Sequence, residues 1–168
     1  FALAAYGLAW ANVSNTPLRG MKSTAYEGGI RTPLVVRWPV AIRHGGETTD
    51  RVGHVMDLMA TCLHVANAKY PLELNERKPL PLEGKSLLPT LQRKRSRGHD
   101  ELCWSLPRQH AIRMGSWKAV KPKSGGVWQL FNLRADGTET TDLAKAEPNR
   151  VRNMSARFEK WRKRVGAN

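Results

Sequence analysis

A polar loop bounded by glycines that runs straight into a short apolar segment constrains this chain more than any other feature. Residues 17–39 read PLRGMKSTAYEGGIRTPLVVRWP. Leu34, Val35 and Val36 form a continuous apolar run flanked by Pro33 and by Trp38-Pro39, which predicts a strand covered on both faces. Gly20 stands before Lys22 and Gly28-Gly29 beyond it, so the backbone can take positive φ on both sides and pass close to a ligand. Lys22 is then the natural anion contact. An ammonium with three donors suits a tetrahedral phosphate or sulfate oxygen, and at ~4 Å with an effective dielectric near 20 the raw attraction is about 4 kcal/mol before desolvation. A solvated surface lysine is the alternative reading, and composition alone favours it.

The segment resembles the lysine-containing block of the sulfatase family, of the form PLRGGKxTxYEGGxRxPxxxxWP. Pro17, Leu18, Arg19, Gly20, Lys22, Thr24, Tyr26, Glu27, Gly28, Gly29, Arg31, Pro33, Trp38 and Pro39 all stand where that pattern wants them, with Met21 in place of its second glycine. The resemblance continues more weakly through VGHVMDLMATCLHVANAKYP, EGKSLLPTL, AIRMGSWKAV and WQLFNLRADGTETTDLA. It implies an α/β chain, the C-terminal part of an alkaline-phosphatase-like sulfatase fold, with Lys22 as the catalytic and substrate-binding contact to sulfate. It also implies formylglycine, made from the cysteine or serine of a CxPSR motif, and calcium held by aspartates and an asparagine. Cys62 is followed by Leu-His-Val and Cys103 by Trp-Ser-Leu, while no acidic residue precedes Glu27 and the first aspartate is Asp50. No metal ligand is therefore assigned in this chain, which reads as the C-terminal portion of a sulfatase, inactive by itself.

Three regions follow: 1–69 as the end of a large α/β domain, 70–100 as a linker, and 101–168 as a small C-terminal domain. In the first, Asp57 is the expected N-cap of a helix whose apolar stripe is Leu58, Met59, Cys62, Leu63 and Ala66. His54 and His64 flank the stripe without a carboxylate or second histidine at ligand spacing, which favours structural roles. The second region holds Pro71, Pro79, Pro81 and Pro89, too many for a long helix or central strand, with Leu87-Leu88 anchoring a short helical turn. In the third, His110–Met114, Gly115-Ser116 and Trp117–Lys121 form a hairpin signature with a type II′ turn. Ser124-Gly125-Gly126 turns the chain into a strand over 127–133, with Trp128 and Leu130 on one face and Phe131 and Leu133 on the other; a run at 102–106 supplies a fourth. The cover for this antiparallel sheet is a helix from Pro148, whose Val151, Met154, Phe158, Trp161 and Val165 recur at steps of three and four, with Arg150, Arg152, Arg157 and Lys163 opposite.

The balance of 28 lysines and arginines against 14 aspartates and glutamates gives +14, which favours polyanionic partners. The densest runs are 93–97 and 160–164, and no nucleic-acid-binding fold accompanies them, so a sulfated polysaccharide is favoured over nucleic acid. FALAAYGLAW is apolar but short and lacks a basic flank, and no transmembrane segment is predicted. Cys62 and Cys103 leave a disulfide and two thiols equally open. The resemblance suggests a periplasmic or extracellular setting for the complete enzyme. Two function classes remain: part of a sulfatase hydrolysing organic sulfate esters, or a non-catalytic basic module binding polyanions. A phosphatase or phosphodiesterase relative is a third option, which the YEGG and WP blocks disfavour.

Overall fold

The computed structural model describes residues 7–123 and 126–167. Most of the expected apolar opening and the Ser124-Gly125 part of the expected turn lie outside these residues. The elements in chain order are α1 (Leu8–Asn15), α2 (Glu27–Ile30), α3 (Met56–Val65), α4 (Leu88–Leu91), β1 (Leu102–Leu106), β2 (Gln109–Met114), β3 (Trp117–Lys121), β4 (Gln129–Asn132) and α5 (Pro148–Val165). They divide between two compact units, one made of 1–33 with 100–168 and the other of 34–99.

The first unit is built on an antiparallel meander in the order β1-β2-β3-β4. Its central hairpin closes as the sequence predicts: Met114 pairs with Trp117 across Gly115-Ser116, and Gly115 takes φ 58°. Strand alternation then sorts the side chains. Ile112, Ala119 and Leu130 face α5, where Met154 and Phe158 are buried against them. The α5 seam is the expected one from Val151 to Trp161, while Val165 lies outside the core, and Gly166 ends the helix at φ 66°. On its polar face Arg150 is half-buried and lies over the Trp117 ring at 4.1 Å.

The other sheet face is also covered, which the sequence does not reveal. Ala111, Val120 and Phe131 pack against Ala25 and Tyr26 of the lysine-bearing block. Segments about 85 residues apart in sequence therefore share one core, as Ala25 N–H donating to Gln109 Oε1 at 2.8 Å illustrates.

The second unit is thinly packed, since only Asp57 and Ala60 are buried between residues 34 and 99. The expected strand at Leu34–Val36 is absent: no ladder pairs with it among the described residues, and Val35 is 91% exposed. A strand exists only through hydrogen bonds to a neighbour, and apolarity without that neighbour leaves irregular backbone. The α3 helix forms, but on a different face from the one expected. Leu58, Met59, Cys62 and Val65 are exposed, while Asp57, Ala60 and Thr61 take the contacts.

Asp57 is not the N-cap; it lies inside the first turn of α3. Its Oδ2 accepts the His54 N–H at 2.8 Å, and its Oδ1 accepts the Lys85 N–H at 2.8 Å and meets His99 Nε2 at 2.7 Å. Polar organisation thus replaces an apolar core here. The turn at Leu87-Leu88 forms as α4, held where Leu87 N–H donates to Thr61 Oγ1 at 2.8 Å. Gly84 lies so close to α3 that a Cβ would stand 2.1 Å from the Met56 carbonyl oxygen. Neither Cys62 nor Cys103 forms a disulfide. No helix among the described residues is long and apolar enough to cross a membrane.

Because Phe158 is fully buried and Val165 is 43% exposed on the same seam, the two positions separate in stability. Phe158→Ala should cost roughly 3–5 kcal/mol and Val165→Ala under about 1 kcal/mol, measured by urea unfolding followed by tryptophan fluorescence.

Candidate functional site

Lys22 stands at the second position of a β-turn that the Thr24 N–H closes onto the Met21 carbonyl at 3.0 Å. Ser23, at the third position, has φ 72°, the geometry of a type II turn. Thr24 staples the loop twice: its hydroxyl donates to the Met21 carbonyl at 2.8 Å and accepts the Met21 N–H at 3.2 Å. Lys22 itself is exposed and has no ion-pair partner among the described residues. The structure thus places a free cation on the tip of a tightly bonded turn.

The glycines make that turn compact, though not all in the way expected. Gly20 does take positive φ, 77°. Gly28 and Gly29 lie in α2 and serve close approach instead. A Cβ on Gly28 would lie 2.3 Å from the Gly20 carbonyl oxygen, and one on Gly29 would lie 2.2 Å from that of Thr24. Without side chains, α2 packs directly on the 19–24 backbone, and Gly28 N–H donates to the Arg19 carbonyl at 2.7 Å.

Below the turn the block is fixed to the sheet by charge. Lys118 Nζ, on β3, donates to Glu27 Oε1 at 2.9 Å and meets Glu139 Oε1 at 2.8 Å. All three residues are buried. Glu139 Oε2 also accepts the Glu27 N–H at 2.6 Å, and Arg113, on β2, approaches Glu27 at 4.0 Å. Burial pushes the Glu139 carboxyl up, against the pull of Lys118.

Arg19 completes the clamp. Its Nη1 donates to the Glu139 carbonyl at 2.8 Å, and its guanidinium lies over the Tyr26 ring at 4.2 Å. Tyr26 in turn donates its hydroxyl to Gln129 Oε1 at 2.6 Å and sets its ring edge-on to Phe131. Burial raises the Tyr26 pKa, with the nearby Arg19 working the other way.

Sequence reasoning singled out Lys22 and missed Glu27, Lys118 and Glu139. The one available signal was Glu27 inside the YEGG run. A lysine between apolar neighbours of an alternating strand carries no local sign of burial at Lys118, and Glu139 lies in an irregular loop at φ 57°. That loop is shaped by Asp136, whose Oδ2 accepts the Thr141 N–H at 2.8 Å while Oδ1 accepts the Thr138 and Thr140 hydroxyls, each at 3.1 Å.

His64 Nδ1 bonds Ser86 Oγ at 2.8 Å, and His54 is engaged beside Asp57, where burial lowers its pKa. The basic run at 93–97 begins with an Arg93–Glu47 ion pair, and its Arg95, Ser96, Arg97 and Gly98 line an open hollow with Arg51. In the other run Arg162 pairs with Glu159 at 2.9 Å. Among the described residues no group of three or more His, Cys, Asp or Glu side chains could hold a metal ion. Glu27 and Glu139 engage Lys118, and Glu139 also takes a backbone amide.

Comparison with known proteins gives a consistent result. Residues 21–164 match the family model described as N-sulphoglucosamine sulphohydrolase, C-terminal. An uncharacterized sulfatase of Schizosaccharomyces pombe is 31% identical over 150 residues, which cover 86% of this chain and 27% of that protein. The N-acetylgalactosamine-6-sulfatase of Rattus norvegicus is 36% identical over 123 residues, 73% of this chain and 22% of its own length. Among solved structures, Ps i-CgsB in complex with k-i-k-neocarrahexaose aligns with a TM-score of 0.71 at 29% identity, covering 88% of this chain and 32% of that one. The chain therefore spans less than a third of the length of these relatives.

Two outcomes follow from the geometry. Gly28→Ala forces a methyl into backbone oxygens and should weaken the block by about 1–3 kcal/mol; amide exchange at Gly28 would then speed up, whereas exchange at the native rate would contradict the packing. The Thr141 amide, followed by the Thr140 and Thr138 contacts, holds the Asp136 carboxyl at about 2, below its ordinary 3.8. Its contribution is complete above pH 3.8 and is lost as pH falls through about 2, so the Thr141 amide should lose exchange protection across that window.

Proposed function

The chain belongs to the sulfatase family, and from that premise we propose that it forms the C-terminal part of an enzyme hydrolysing organic sulfate esters to alcohol and sulfate, with Lys22 as a sulfate contact. The observation that carries the reading is a lysine without an ion-pair partner among the described residues, held on a bonded turn inside the block that resembles the family's. A sulfate ester bears one negative charge over three non-bridging oxygens. Cleavage gives sulfate with a second charge, so a fixed ammonium stabilises the transition state more than the bound ester. Lys22 supplies that cation from a backbone whose geometry the sheet already fixes, and it needs no proton transfer to do so.

In this reading a formylglycine would supply the nucleophile and a calcium ion a second positive contact, neither held by a residue assigned in this chain. A sulfated polysaccharide is the substrate class we favour. The +14 charge supports it, as do relatives named N-acetylgalactosamine-6-sulfatase and the i-CgsB structure solved with a neocarrahexaose.

A second reading, a basic module that holds polyanions without catalysis, draws on the hollow lined by Arg51, Arg95 and Arg97. Salt-sensitive heparin binding by this chain, together with a sulfatase activity indifferent to Lys22, would favour it.

Lys22→Ala in the complete enzyme should cost on the order of 2–4 kcal/mol of transition-state stabilisation, seen as a fall in kcat/KM on an aryl sulfate. Turnover and affinity both unchanged would remove Lys22 from the site.

A further inference from the structure

We propose that Lys118, Glu27 and Glu139 are positioning residues for the sulfate contact: through this buried ion cluster the sheet sets where the Lys22 turn stands. The inference rests on the reading of Lys22 above.

The exposed Lys22 side chain makes no ion pair among the described residues, so whatever places it must act through its backbone. Two routes lead there from Lys118. One runs through Glu27, the first residue of α2, whose next two residues carry the Arg19, Gly20 and Thr24 carbonyls against their bare Cα atoms. The other runs through Glu139, which accepts the Glu27 N–H with its carboxylate and the Arg19 guanidinium with its carbonyl. Both routes end on the 19–24 segment, on either side of Lys22.

The chemistry of the cluster argues for placement over adhesion. Apolar side chains of similar volume hold two surfaces together as firmly as a buried ion pair, and often more so. They do it in many registers. Lys118 between two carboxylates allows one, because sliding the block by a residue strands a buried charge with no counterion. Arg113 at 4.0 Å from Glu27 brings a second cation to the two carboxylates, so the satisfied register is close to neutral. Ala25 and Tyr26, packed on Ala111, Val120 and Phe131, already provide the adhesive contact.

A double-mutant cycle in the complete enzyme, read on 4-nitrophenyl sulfate, tests this. Lys118→Met should lower kcat/KM roughly tenfold or more in the native background and leave it nearly unchanged in the Lys22→Ala background, because a positioning residue has nothing left to position. Equal losses in both backgrounds would overturn the proposal and mark Lys118 as a general stabiliser. If Lys22→Ala alone changes nothing, the sulfate-contact reading fails instead, and the two failures are distinct. Should Lys118→Met not fold, Glu139→Gln keeps the shape and the Glu27 acceptor and runs the same cycle. Adding Glu139→Gln to Lys118→Met, which restores charge balance around Glu27 and Arg113, should recover part of the activity. Amide exchange supplies a readout independent of turnover: residues 24–30 should open roughly tenfold faster in Lys118→Met while β2 and β3 amides keep their protection. Uniform loss across the unit would overturn the proposal.

Discussion

Lys118 sits with no solvent exposure between two carboxylates that come from opposite ends of the chain, and the first unit is organised around that contact. An isolated buried ammonium would be driven to neutrality. Here Glu27 and Glu139 hold the charge, and each carboxylate has further work: Glu139 takes the Glu27 amide, while Glu27 faces Arg113. Remove the lysine and two buried carboxylates confront each other, the arrangement that costs most in a low-dielectric interior. One ammonium thereby joins the first residue of α2, an inner strand of the meander and a loop near residue 140.

The sheet can do this because its two faces are specialised. Toward α5 it presents Ile112, Ala119 and Leu130, a conventional apolar surface. Toward the lysine block it mixes Ala111, Val120 and Phe131 with Gln109, Lys118 and Gln129, and each of these polar groups finds a partner in residues 25–27. A pleated strand turns alternate side chains to opposite faces, so a polar residue among apolar neighbours reads as solvent-facing. Here the alternation is correct and the solvent is absent, because a segment some 90 residues away fills the place of water.

That substitution explains what was legible. The hairpin, the fourth strand and α5 rest on local signals: a glycine with positive φ at a two-residue turn, period-two runs, and apolar steps of three and four. The features that escaped depend on partners outside the local window. Leu34–Val36 has strand composition but no ladder, and α3 has an apolar stripe yet docks by Asp57, Ala60 and Thr61. Asp57 at a helix start reads as a cap because capping is the common local use of aspartate, but its carboxylate reaches Lys85 and His99, 28 and 42 residues on. Glu139 gave no signal at all, since its role exists only where Arg19, Glu27 and Lys118 converge.

The division of labour between backbone and side chain at Lys22 bears on why the tip residue is a lysine. The turn beneath it is held by Thr24 and by the bare faces of Gly28 and Gly29, so in the proposed reading that backbone needs little further ordering when an anion binds. The side chain is not fixed, and a lysine gives up about 2 kcal/mol of rotamer freedom on engaging one oxygen. An arginine would offer a planar fork matched to two oxygens of one fixed geometry, and would bind ester and product in much the same way. In the proposed sulfate-contact reading, the compact ammonium on a flexible stem follows the oxygens as the S–O bond lengthens and charge builds on sulfate. A rigid platform with a mobile cation thus keeps the position of the charge defined while letting its contact tighten in the transition state, and that tightening is what accelerates a reaction.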